Sequence, residues 1–337
     1  MTDWGNLPFS YKKTKINTRC SYTNGSWGNI EISESEHINM HMSATCLHYG
    51  QECFEGLKAY RDKQGNIRLF RWEENVKRMS KSAARLGMPE IPHDIFKSCL
   101  FSLVSQNAEF VPPYGSGAFL YIRPLLIGTG AQLGLSASKD YLLVMFCSPV
   151  GAYFKGGFKP VKVLVERATD RAAPLGTGNV KVGGNYAAAL NTTLRVQSQG
   201  YSSALYLDPK EKKYIDECGP ANFFGIKNNT YVTPQSASIL DSITNSSLQI
   251  LAAHFGMKVE KRQVPLEELE TFEEVGQCGT AAVLTPIYQI VDADENKNYF
   301  FGSADSVGKI SLQLYETLVG IQYGDVEDTF GWISIVK

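Results

Sequence analysis

Hydrophobic residues recur along this chain in short blocks whose internal spacing alternates between the period of a helix and that of a strand. Apolar residues three or four positions apart predict four helices, over residues 73–86, 185–198, 244–255 and 306–321. Blocks rich in β-branched and aromatic residues predict strands at 118–127, 141–147, 161–165, 204–207, 213–216, 223–226 and 231–233. Two further apolar stretches flank the polar residues 62–66 and predict a hairpin over residues 60–71. The polar residues 1–40, with a turn signal at Asn24-Gly25, are expected to form an extended arm and loops.

The densest cluster of glycine and proline between two predicted strands lies at residues 151–160 and indicates a linker. We therefore predict a smaller N-terminal α/β domain over residues 1–152, a linker over 153–168 and a larger C-terminal domain over 169–337. A length of 337 residues agrees with two domains. The mixture of strands and helices predicts a two-domain fold of the α/β (α+β) class.

The composition, with 43% hydrophobic and 20% charged residues, is that of a globular protein with a sizeable core. Lys and Arg number 33 against 34 Asp and Glu, and no basic stripe stands out, so nucleic acid is not an expected partner. No apolar run reaches the roughly 18 residues that a membrane helix needs, and the first residues do not resemble a targeting peptide. We therefore expect no membrane partner and a non-exported protein.

The seven cysteines are odd in number and widely scattered, and no two of them form a CxxC pair. Neither a disulfide framework nor a zinc site follows from this spacing, and a reducing compartment fits free thiols best. His37 and His41 are four residues apart, but no third metal ligand lies near them in the sequence. We therefore expect no metal site.

A lysine among four glycines is the most informative feature of the sequence. Lys181 lies in the segment GTGNVKVGGNY, residues 176–186, directly before a predicted helix. The segment lacks the Gly-Lys-Ser/Thr order of a P-loop, and Lys181 stands where a dinucleotide fingerprint needs its third glycine. With a valine on either side, the ammonium is expected to be partly desolvated and its pKa lowered. Such an amine can condense with an aldehyde, whereas the alternative is an ordinary solvated loop lysine.

A second candidate group is the carboxylate of Glu217, in the segment YIDECGPANFF at residues 214–224. It lies at the end of a predicted strand and is followed by small residues. If Lys181 binds pyridoxal phosphate as a Schiff base, the pyridine nitrogen of that cofactor needs an anionic partner to stay protonated. Glu217 is the candidate for this partner, although taken alone it is more typical of a turn or surface carboxylate.

These segments resemble the fold type IV pyridoxal-phosphate aminotransferases, and within them the branched-chain amino acid aminotransferases. The resemblance covers nearly the whole chain, from LHYGQECFEGLK at residues 47–58 to Tyr323-Gly324. Between these ends the further matches, in the same order as in the family, are LFR at 69–71, YIRP at 121–124, GAY at 151–153, the Lys181 segment, residues 217–224 and GTAA at 279–282.

The resemblance implies a D-amino acid aminotransferase-like fold with pyridoxal 5'-phosphate at the domain interface. It implies that Lys181 forms the Schiff base, that Glu217 partners the pyridine nitrogen and that Tyr186 donates to the phenolic oxygen of the ring. The phosphate ligands that it implies are the Arg71 guanidinium, the N–H groups of Ile243 and Thr244, and the Thr280 hydroxyl. The substrate pocket that it implies consists of Tyr49, Phe54, Tyr121, Arg123, Tyr153 and the turn at Gly279-Thr280-Ala281, whose N–H groups face the substrate α-carboxylate.

The activity implied by the resemblance is transamination of leucine, isoleucine and valine with 2-oxoglutarate, in a cytoplasmic homodimer. D-amino acid aminotransferase and aminodeoxychorismate lyase share the lysine and the glutamate and are the alternatives within the fold. A protein that binds pyridoxal phosphate without turnover is the alternative outside the enzymes.

Two positions depart from the family pattern. Leu240-Asp241-Ser242 replaces the usual Leu-Pro-Gly before the phosphate-binding helix, so Asp241 brings negative charge near the phosphate, although it or Ser242 can instead cap the helix. Pro220 lies where relatives carry Gly or Thr and cannot donate a backbone hydrogen bond. The CxxC of vertebrate relatives is also absent, because Ala282 and Thr285 occupy its positions.

Overall fold

The structure is a computed structural model that describes residues 3–151 and 158–337. The strands, in chain order, are β1 (Asn17–Thr23), β2 (Ser26–Ser33), β3 (Glu52–Phe54), β4 (Leu57–Arg61), β5 (Ile67–Phe70), β6 (Phe119–Gly128), β7 (Tyr141–Val150), β8 (Val161–Glu166), β9 (Ser203–Leu207), β10 (Ile215–Cys218), β11 (Ala221–Lys227), β12 (Thr230–Pro234), β13 (Lys258–Arg262), β14 (Glu274–Gly279), β15 (Val283–Asp292), β16 (Lys297–Phe300) and β17 (Ile333–Val336). The α-helices are α1 (Thr45–Tyr49), α2 (Trp72–Arg85), α3 (His93–Gln106), α4 (Gly183–Ala188), α5 (Leu190–Ser198), α6 (Ile243–His254) and α7 (Lys309–Tyr323). Within these described ranges, no helix is both long enough and apolar enough to span a membrane.

The residues form two units according to their internal contacts. The first unit comprises Met1–Tyr153, Val180–Gly183 and Gly320–Lys337, and the second comprises Phe154–Asn179 and Gly184–Val319. The segment around Lys181 therefore belongs to the unit that contains the N-terminal sheet. The domain limits given above remain predictions from the sequence, and residues 153–157 of the proposed linker lie outside the described residues.

An eight-stranded antiparallel sheet forms the frame of the first unit, in the order β17-β5-β4-β6-β7-β1-β2, with β3 paired to β6. The hairpin predicted over residues 60–71 is confirmed as β4 and β5. Side chains alternate across a strand, so Leu57 and Ala59 of β4 enter the core that α2 and α3 also line. Tyr60 lies on the other face, in a cluster with Phe119. This second face of the sheet carries the aromatic part of the candidate site.

The expectation of an arm and loops over residues 1–40 was wrong in part, because β1 and β2 form a hairpin that continues the sheet through β7. Asn24 and Gly25 are its two central turn residues, with φ angles of 53° and 80°. Two positive φ angles are typical of the type I′ turn that matches strand twist. The hairpin lacks a clear hydrophobic alternation because β2 is an edge strand with mostly exposed or half-exposed side chains.

The second unit is built on a nine-stranded sheet in which six strands close into a ring, β10-β9-β8-β15-β14-β11, through a further pairing of β10 with β11. The pairs β9–β8, β8–β15 and β12–β13 are parallel, and the other pairs are antiparallel. Its core includes Phe223, Leu205 and Ile290. The strand predicted at 213–216 begins two residues later, as β10, and this shift places Glu217 within the strand.

The helix predicted over residues 185–198 is two helices in the structure, α4 and α5. The break falls at Ala189, whose N–H donates to the Tyr186 carbonyl 3.1 Å away, a bond of the tighter 3₁₀ type. Leu190 and Leu194, which share one face of α5, are 58% and 65% exposed. The other three predicted helices are confirmed within three residues at each end, as α2, α6 and α7.

Candidate active site

Hydrogen bonds tie the backbone of the Lys181 segment to other parts of the first unit. Its N–H donates to Ser82 Oγ on α2 over 3.0 Å, and its carbonyl accepts the Phe54 N–H over 3.1 Å. Two residues later, the Gly183 N–H donates to the Glu52 carboxylate. These bonds fix the backbone on both sides of Lys181 and therefore fix the root of its side chain.

The pKa of Lys181 is lowered to about 8. Burial is the largest cause, the positive charge of Arg78 lowers the pKa further, and the negative charge of Glu55 opposes both effects. Val180 and Val182 on either side belong to the hydrophobic core, which agrees with the desolvation predicted from the sequence. At pH 7 about one Lys181 amine in ten is then neutral, roughly 300 times the fraction for an unperturbed lysine. A neutral amine can act as a nucleophile or a base.

Glu55 and Arg78 form a buried ion pair close to this lysine, and neither residue was predicted as part of a site. Arg78 donates to the two Glu55 carboxylate oxygens from Nε and Nη2, each over 2.7 Å, and Asn75 adds a bond of 2.8 Å. Burial by itself would raise the pKa of Glu55, but the charge and hydrogen bonds of Arg78 outweigh it, and the pKa is lowered. The pair therefore presents fixed charges of both signs to Lys181.

Phe54, Tyr121 and Arg123 come together in the first unit, as expected for residues of one pocket. Tyr121 and Arg123 are two positions apart on β6 and share a face, and Arg123 Nη2 donates to the Tyr121 hydroxyl over 3.0 Å. The Arg123 guanidinium lies 4.7 Å from the centre of the Phe54 ring. Lys181 Nζ lies at the same distance from that ring. The amine and the guanidinium therefore both contact one apolar ring.

Two features of this group prepare it for a ligand. Among the described residues, Arg123 Nε is buried without a hydrogen-bond partner. A buried donor of this kind favours an acceptor such as a carboxylate. Gly56 makes room for the arrangement, because a Cβ atom on it would lie 2.3 Å from the Tyr121 hydroxyl oxygen.

The two other aromatic residues of the predicted pocket are Tyr49 and Tyr153. Tyr49 is 42% exposed, and its hydroxyl donates to the Leu133 carbonyl in the loop between β6 and β7. Tyr153 lies outside the described residues.

Arg71, the predicted phosphate ligand, precedes α2 in the left-handed conformation, with φ 46° and ψ 38°. Its N–H donates to the Trp332 carbonyl over 2.7 Å, and its guanidinium lies 5.2 Å from the Trp332 ring. Burial lowers the pKa of Arg71, but an arginine stays charged in proteins. A non-glycine residue with positive φ costs on the order of 1 kcal/mol or more, and such strain is frequent at functional sites.

Glu217 is buried in the second unit and is tied to the loop before α6. Its Oε1 accepts the Leu240 N–H over 2.6 Å, and Arg171 Nη2 lies 3.3 Å from the same oxygen. Asn222, the cross-strand partner of Glu217, donates to the Leu240 carbonyl over 3.0 Å. Both backbone groups of Leu240 are therefore held by one β10–β11 rung, which fixes the carboxylate.

The Pro220 departure is explained by the turn that joins β10 and β11. Cys218 pairs with Ala221, so Gly219 and Pro220 are the two central residues of a tight hairpin. Gly219 has φ 56°, as the first residue of a type II′ turn requires. The strand ladder needs no N–H from the second central residue, so a proline fits there.

The Asp241-Ser242 departure is explained in a similar way. Ser242 is the N-cap of α6, and its Oγ accepts the Asn245 N–H over 3.1 Å. Asp241 forms an ion pair of 3.0 Å with Lys261, and both side chains are largely exposed. The N–H groups of Ile243 and Thr244 are among those that a helix start leaves without an intrahelical partner, and the helix dipole favours an anion there.

The remaining predicted residues also lie in the second unit. Thr280 and Ala281 belong to the half-exposed turn between β14 and β15, where Gly279 pairs with Val283. Tyr186 lies in α4, whose first turn is fixed by two bonds between Asn185 and Thr177, of 2.8 and 2.7 Å.

Sequence reasoning missed three charged residues, Glu55, Arg78 and Arg171. The first two act on Lys181 through their charges, and Arg171 forms an ion pair with Glu217. Glu55 lies inside the FEG segment that carried the resemblance, which was the one available signal. Arg78 and Arg171 are 23 residues from Glu55 and 46 from Glu217, so no local pattern joins these pairs.

Comparison with known proteins identifies the family. Residues 52–290 match the model of the family described as amino-transferase class IV. A branched-chain-amino-acid aminotransferase of Helicobacter pylori is 46% identical over 98% of this chain and 97% of its own length. The structure of the branched-chain amino acid aminotransferase of Escherichia coli matches 96% of this chain and 100% of its own, with a TM-score of 0.75 and 25% identity.

A second solved structure has the same fold. The branched-chain amino acid aminotransferase of Thermobaculum terrenum, described as the PLP-form, matches 96% of this chain and 99% of its own, with a TM-score of 0.78 and 23% identity. The fold type IV architecture predicted from the sequence is thereby confirmed. The chain belongs to the class IV aminotransferases and, within them, to the branched-chain-amino-acid aminotransferases.

Proposed function

We propose that this protein catalyses pyridoxal-phosphate-dependent transamination of L-leucine, L-isoleucine and L-valine with 2-oxoglutarate, giving the branched 2-oxo acids and L-glutamate. The observation that carries the proposal is Lys181, a fixed amine whose pKa is lowered to about 8. The names of the relatives support the substrate class.

Each of the two units supplies donors or acceptors that suit a part of pyridoxal 5'-phosphate. Arg71 supplies a planar charged fork for the phosphate, and the start of α6 supplies N–H groups. We assign the phosphate to Arg71, Ile243, Thr244 and the Thr280 hydroxyl. Glu217 is a fixed carboxylate for the pyridine nitrogen, and we assign the phenolic oxygen to the Tyr186 hydroxyl. When bound, the cofactor supplies an electron sink for the electrons released at the substrate α-carbon.

Lys181 has two tasks in this proposal. Its Nζ holds the cofactor covalently at rest, for which a neutral amine is required. When it is free, Nζ would accept the proton of the substrate α-carbon and later return a proton. The Lys181 backbone is bonded to Ser82 and Phe54, and the Gly183 N–H is bonded to Glu52, so the root of the side chain stays in place while the amine is not bound.

The substrate groups are assigned to residues of different chemistry. We propose that the turn at Thr280 and Ala281 binds the α-carboxylate through N–H groups, and that Phe54 contacts the branched side chain. The second carboxylate of glutamate needs a polar partner, because an unpaired charge in an apolar pocket costs several kcal/mol. Arg123 is that partner, with its unpartnered Nε, and the Tyr121, Tyr49 and Tyr153 hydroxyls complete the rim.

The test is glutamate formation by purified protein supplied with pyridoxal phosphate, leucine and 2-oxoglutarate, together with the visible spectrum of the cofactor. Leucine is expected to change the spectrum and 2-oxoglutarate to restore it. Lys181→Ala is expected to abolish both signals, and Lys77→Ala, at an exposed lysine of α2, is the control. Turnover of D-alanine without turnover of leucine would instead favour the D-amino acid enzyme. A cofactor spectrum that does not change when an amino acid is added would favour binding without turnover.

We further propose a cytoplasmic homodimer. Large exposed apolar side chains such as Met42, Leu133 and Leu135 support a protein partner, because isolated chains rarely expose such groups together. The seven free cysteines support a reducing compartment. Light scattering after size exclusion is expected to give twice the chain mass of 37.3 kDa, and a mass of one chain would contradict the dimer.

A further inference from the structure

Arg171 joins three segments of the second unit. Its Nη2 donates to the Gly178 carbonyl over 2.9 Å and to the Ser238 carbonyl, and it lies 3.3 Å from Glu217 Oε1. Gly178 is packed against the same loop, because a Cβ atom on it would lie 2.4 Å from the Ser238 oxygen. One guanidinium therefore holds the loop that leads to the Lys181 segment, the loop that leads to α6, and the carboxylate between them.

The charge of Arg171 is nearly as buried as the groups it contacts. Its side chain is about nine-tenths buried, and its Nε has no hydrogen-bond partner among the described residues. Removing one partner of a buried ion pair leaves the other charge buried and uncompensated, which is strongly unfavourable. Two buried carboxylates that follow each other in the sequence, Asp216 and Glu217, experience the charge of Arg171. Asp216 accepts hydrogen bonds from the hydroxyls of Ser236 and Ser238. Glu217 is the carboxylate that Arg171 contacts directly.

A carboxylate that partners a pyridine nitrogen must meet two requirements. It must be ionised, since a neutral carboxyl cannot stabilise a pyridinium charge, and it must not turn away from the ring. The Leu240 N–H donates to the Glu217 carboxylate, and Asn222 in turn holds the Leu240 carbonyl, but neither residue carries a charge. Arg171 supplies the charge.

We propose that Arg171 is a positioning residue that keeps Glu217 ionised and oriented toward the pyridine nitrogen of the cofactor. The inference rests on the proposed function. Arg171 touches neither substrate nor reacting atoms in this assignment and acts only through Glu217. Replacing Arg171 is therefore expected to reduce the preference for a cofactor with a ring nitrogen. The same replacement is expected to have no effect in a variant that lacks the Glu217 carboxylate.

The experiment compares pyridoxal phosphate with its 1-deaza analogue, in which a C–H group replaces the ring nitrogen. Competition dialysis against apoenzyme gives the ratio of the two dissociation constants. Contacts to the phosphate and the bond to Lys181 are common to both compounds and cancel in this ratio. The wild-type protein is expected to prefer the nitrogen compound, and Arg171→Met to lower the preference on the order of tenfold.

Three further variants make the test specific. In a Glu217→Gln background, Arg171→Met is expected to have no further effect on the ratio. Arg167→Met, which breaks the ion pair with Asp292 in the same unit, is expected to leave the ratio unchanged. If Arg171→Met does not fold, Arg171→Lys replaces it, because lysine keeps the charge but lacks the fork. It is expected to lower the preference by at least about threefold.

The possible outcomes separate the inference from the proposed function. An unchanged ratio in the Arg171 variants, or an equal effect with and without Glu217, would overturn the positioning role. A wild-type protein that binds neither compound, or binds both equally, would instead contradict the cofactor assignment itself.

Discussion

Replacing Lys181 with methionine is expected to stabilise the apoenzyme while abolishing its activity. The folded protein disfavours the charged amine, since burial and Arg78 lower its pKa to about 8 from 10.5. This difference corresponds to about 3 kcal/mol that the folded state loses below pH 8, where the amine is protonated in both states. Methionine has a similar length, carries no charge and can remain against the Phe54 ring. Glu55 stays paired with Arg78 after the substitution.

The sign of the pH dependence follows from the same pKa values. Between pH 8 and 10.5 the unfolded chain binds more protons at this lysine than the folded protein, so the wild type gains stability as the pH rises. Above both pKa values the amine is neutral in both states and the disadvantage disappears. The advantage of Lys181→Met is therefore expected to be about 3 kcal/mol at most at pH 7 and less than about 1 kcal/mol at pH 10.

Urea unfolding followed by tryptophan fluorescence measures the free energy of unfolding of the first unit, which contains Lys181. Trp4, Trp27, Trp72 and Trp332 are the four tryptophans of the chain, and all belong to the unit that contains Lys181. Protein concentration must be equal for all variants, because a dimer unfolds in a concentration-dependent way. Lys77→Met, at a largely exposed lysine, is the control and is expected to change stability by less than about 0.5 kcal/mol at both pH values. A Lys181→Met variant that is less stable than the wild type at pH 7, or whose advantage does not shrink at pH 10, would refute the reasoning.

Three further predictions concern the substrate and the cofactor. Arg123→Met is expected to raise KM for glutamate and 2-oxoglutarate by on the order of ten- to a hundredfold and to affect leucine much less, because only the former lose a charge-assisted bond; an equal loss for both in steady-state kinetics would assign Arg123 to the α-carboxylate or to the architecture. Glu217→Gln is expected to lower kcat far more than cofactor affinity, since an amide cannot hold the pyridinium charge, and an unchanged kcat would mean that the carboxylate has another role. Gly56→Ala is expected to displace the Tyr121 hydroxyl and, through it, Arg123, so that selectivity for glutamate over leucine falls; the ratio of the two kcat/KM values measures this, and an unchanged ratio would show that the pocket adapts.

The elements with a strong local signal were predictable from the sequence. The helical spacing in α2 and the polar turn between β4 and β5 determine both elements within three residues. The burial that lowers the pKa of Lys181 was predicted from its two valine neighbours, which belong to the core. The further effect of Arg78 on this pKa could not be predicted, because Arg78 is distant in the sequence. For the helix and the hairpin, the relevant contacts are close in the sequence.

Features that depend on contacts between distant segments could not be predicted. The β1–β2 hairpin is stabilised by pairing with β7, more than 100 residues away, and its own pattern is mostly polar. The Glu55–Arg78 pair requires β3 and α2 to be adjacent, and nothing in either segment indicates its partner. The break at Ala189 has no local signal either, because Tyr186, Ala189 and Leu190 are all compatible with a continuous helix.

The loop from Ser238 to Ser242 shows how this chain holds its backbone without the usual proline and glycine before α6. A proline in this loop would restrict the backbone directly, but this chain has Asp241 there and restricts the loop through side chains instead. Arg171 holds the Ser238 carbonyl, and the Glu217–Asn222 rung holds both backbone groups of Leu240.

The same loop joins two assigned functions. Ser242 then caps α6, and the ion pair with Lys261 neutralises the charge of Asp241. One short loop therefore contacts the group assigned to the pyridine nitrogen, through Leu240, and precedes the two N–H groups of α6 that are assigned to the phosphate. A substitution that loosens Leu240 is expected to weaken both groups together, whereas loss of the Ser242 cap acts on the phosphate end alone.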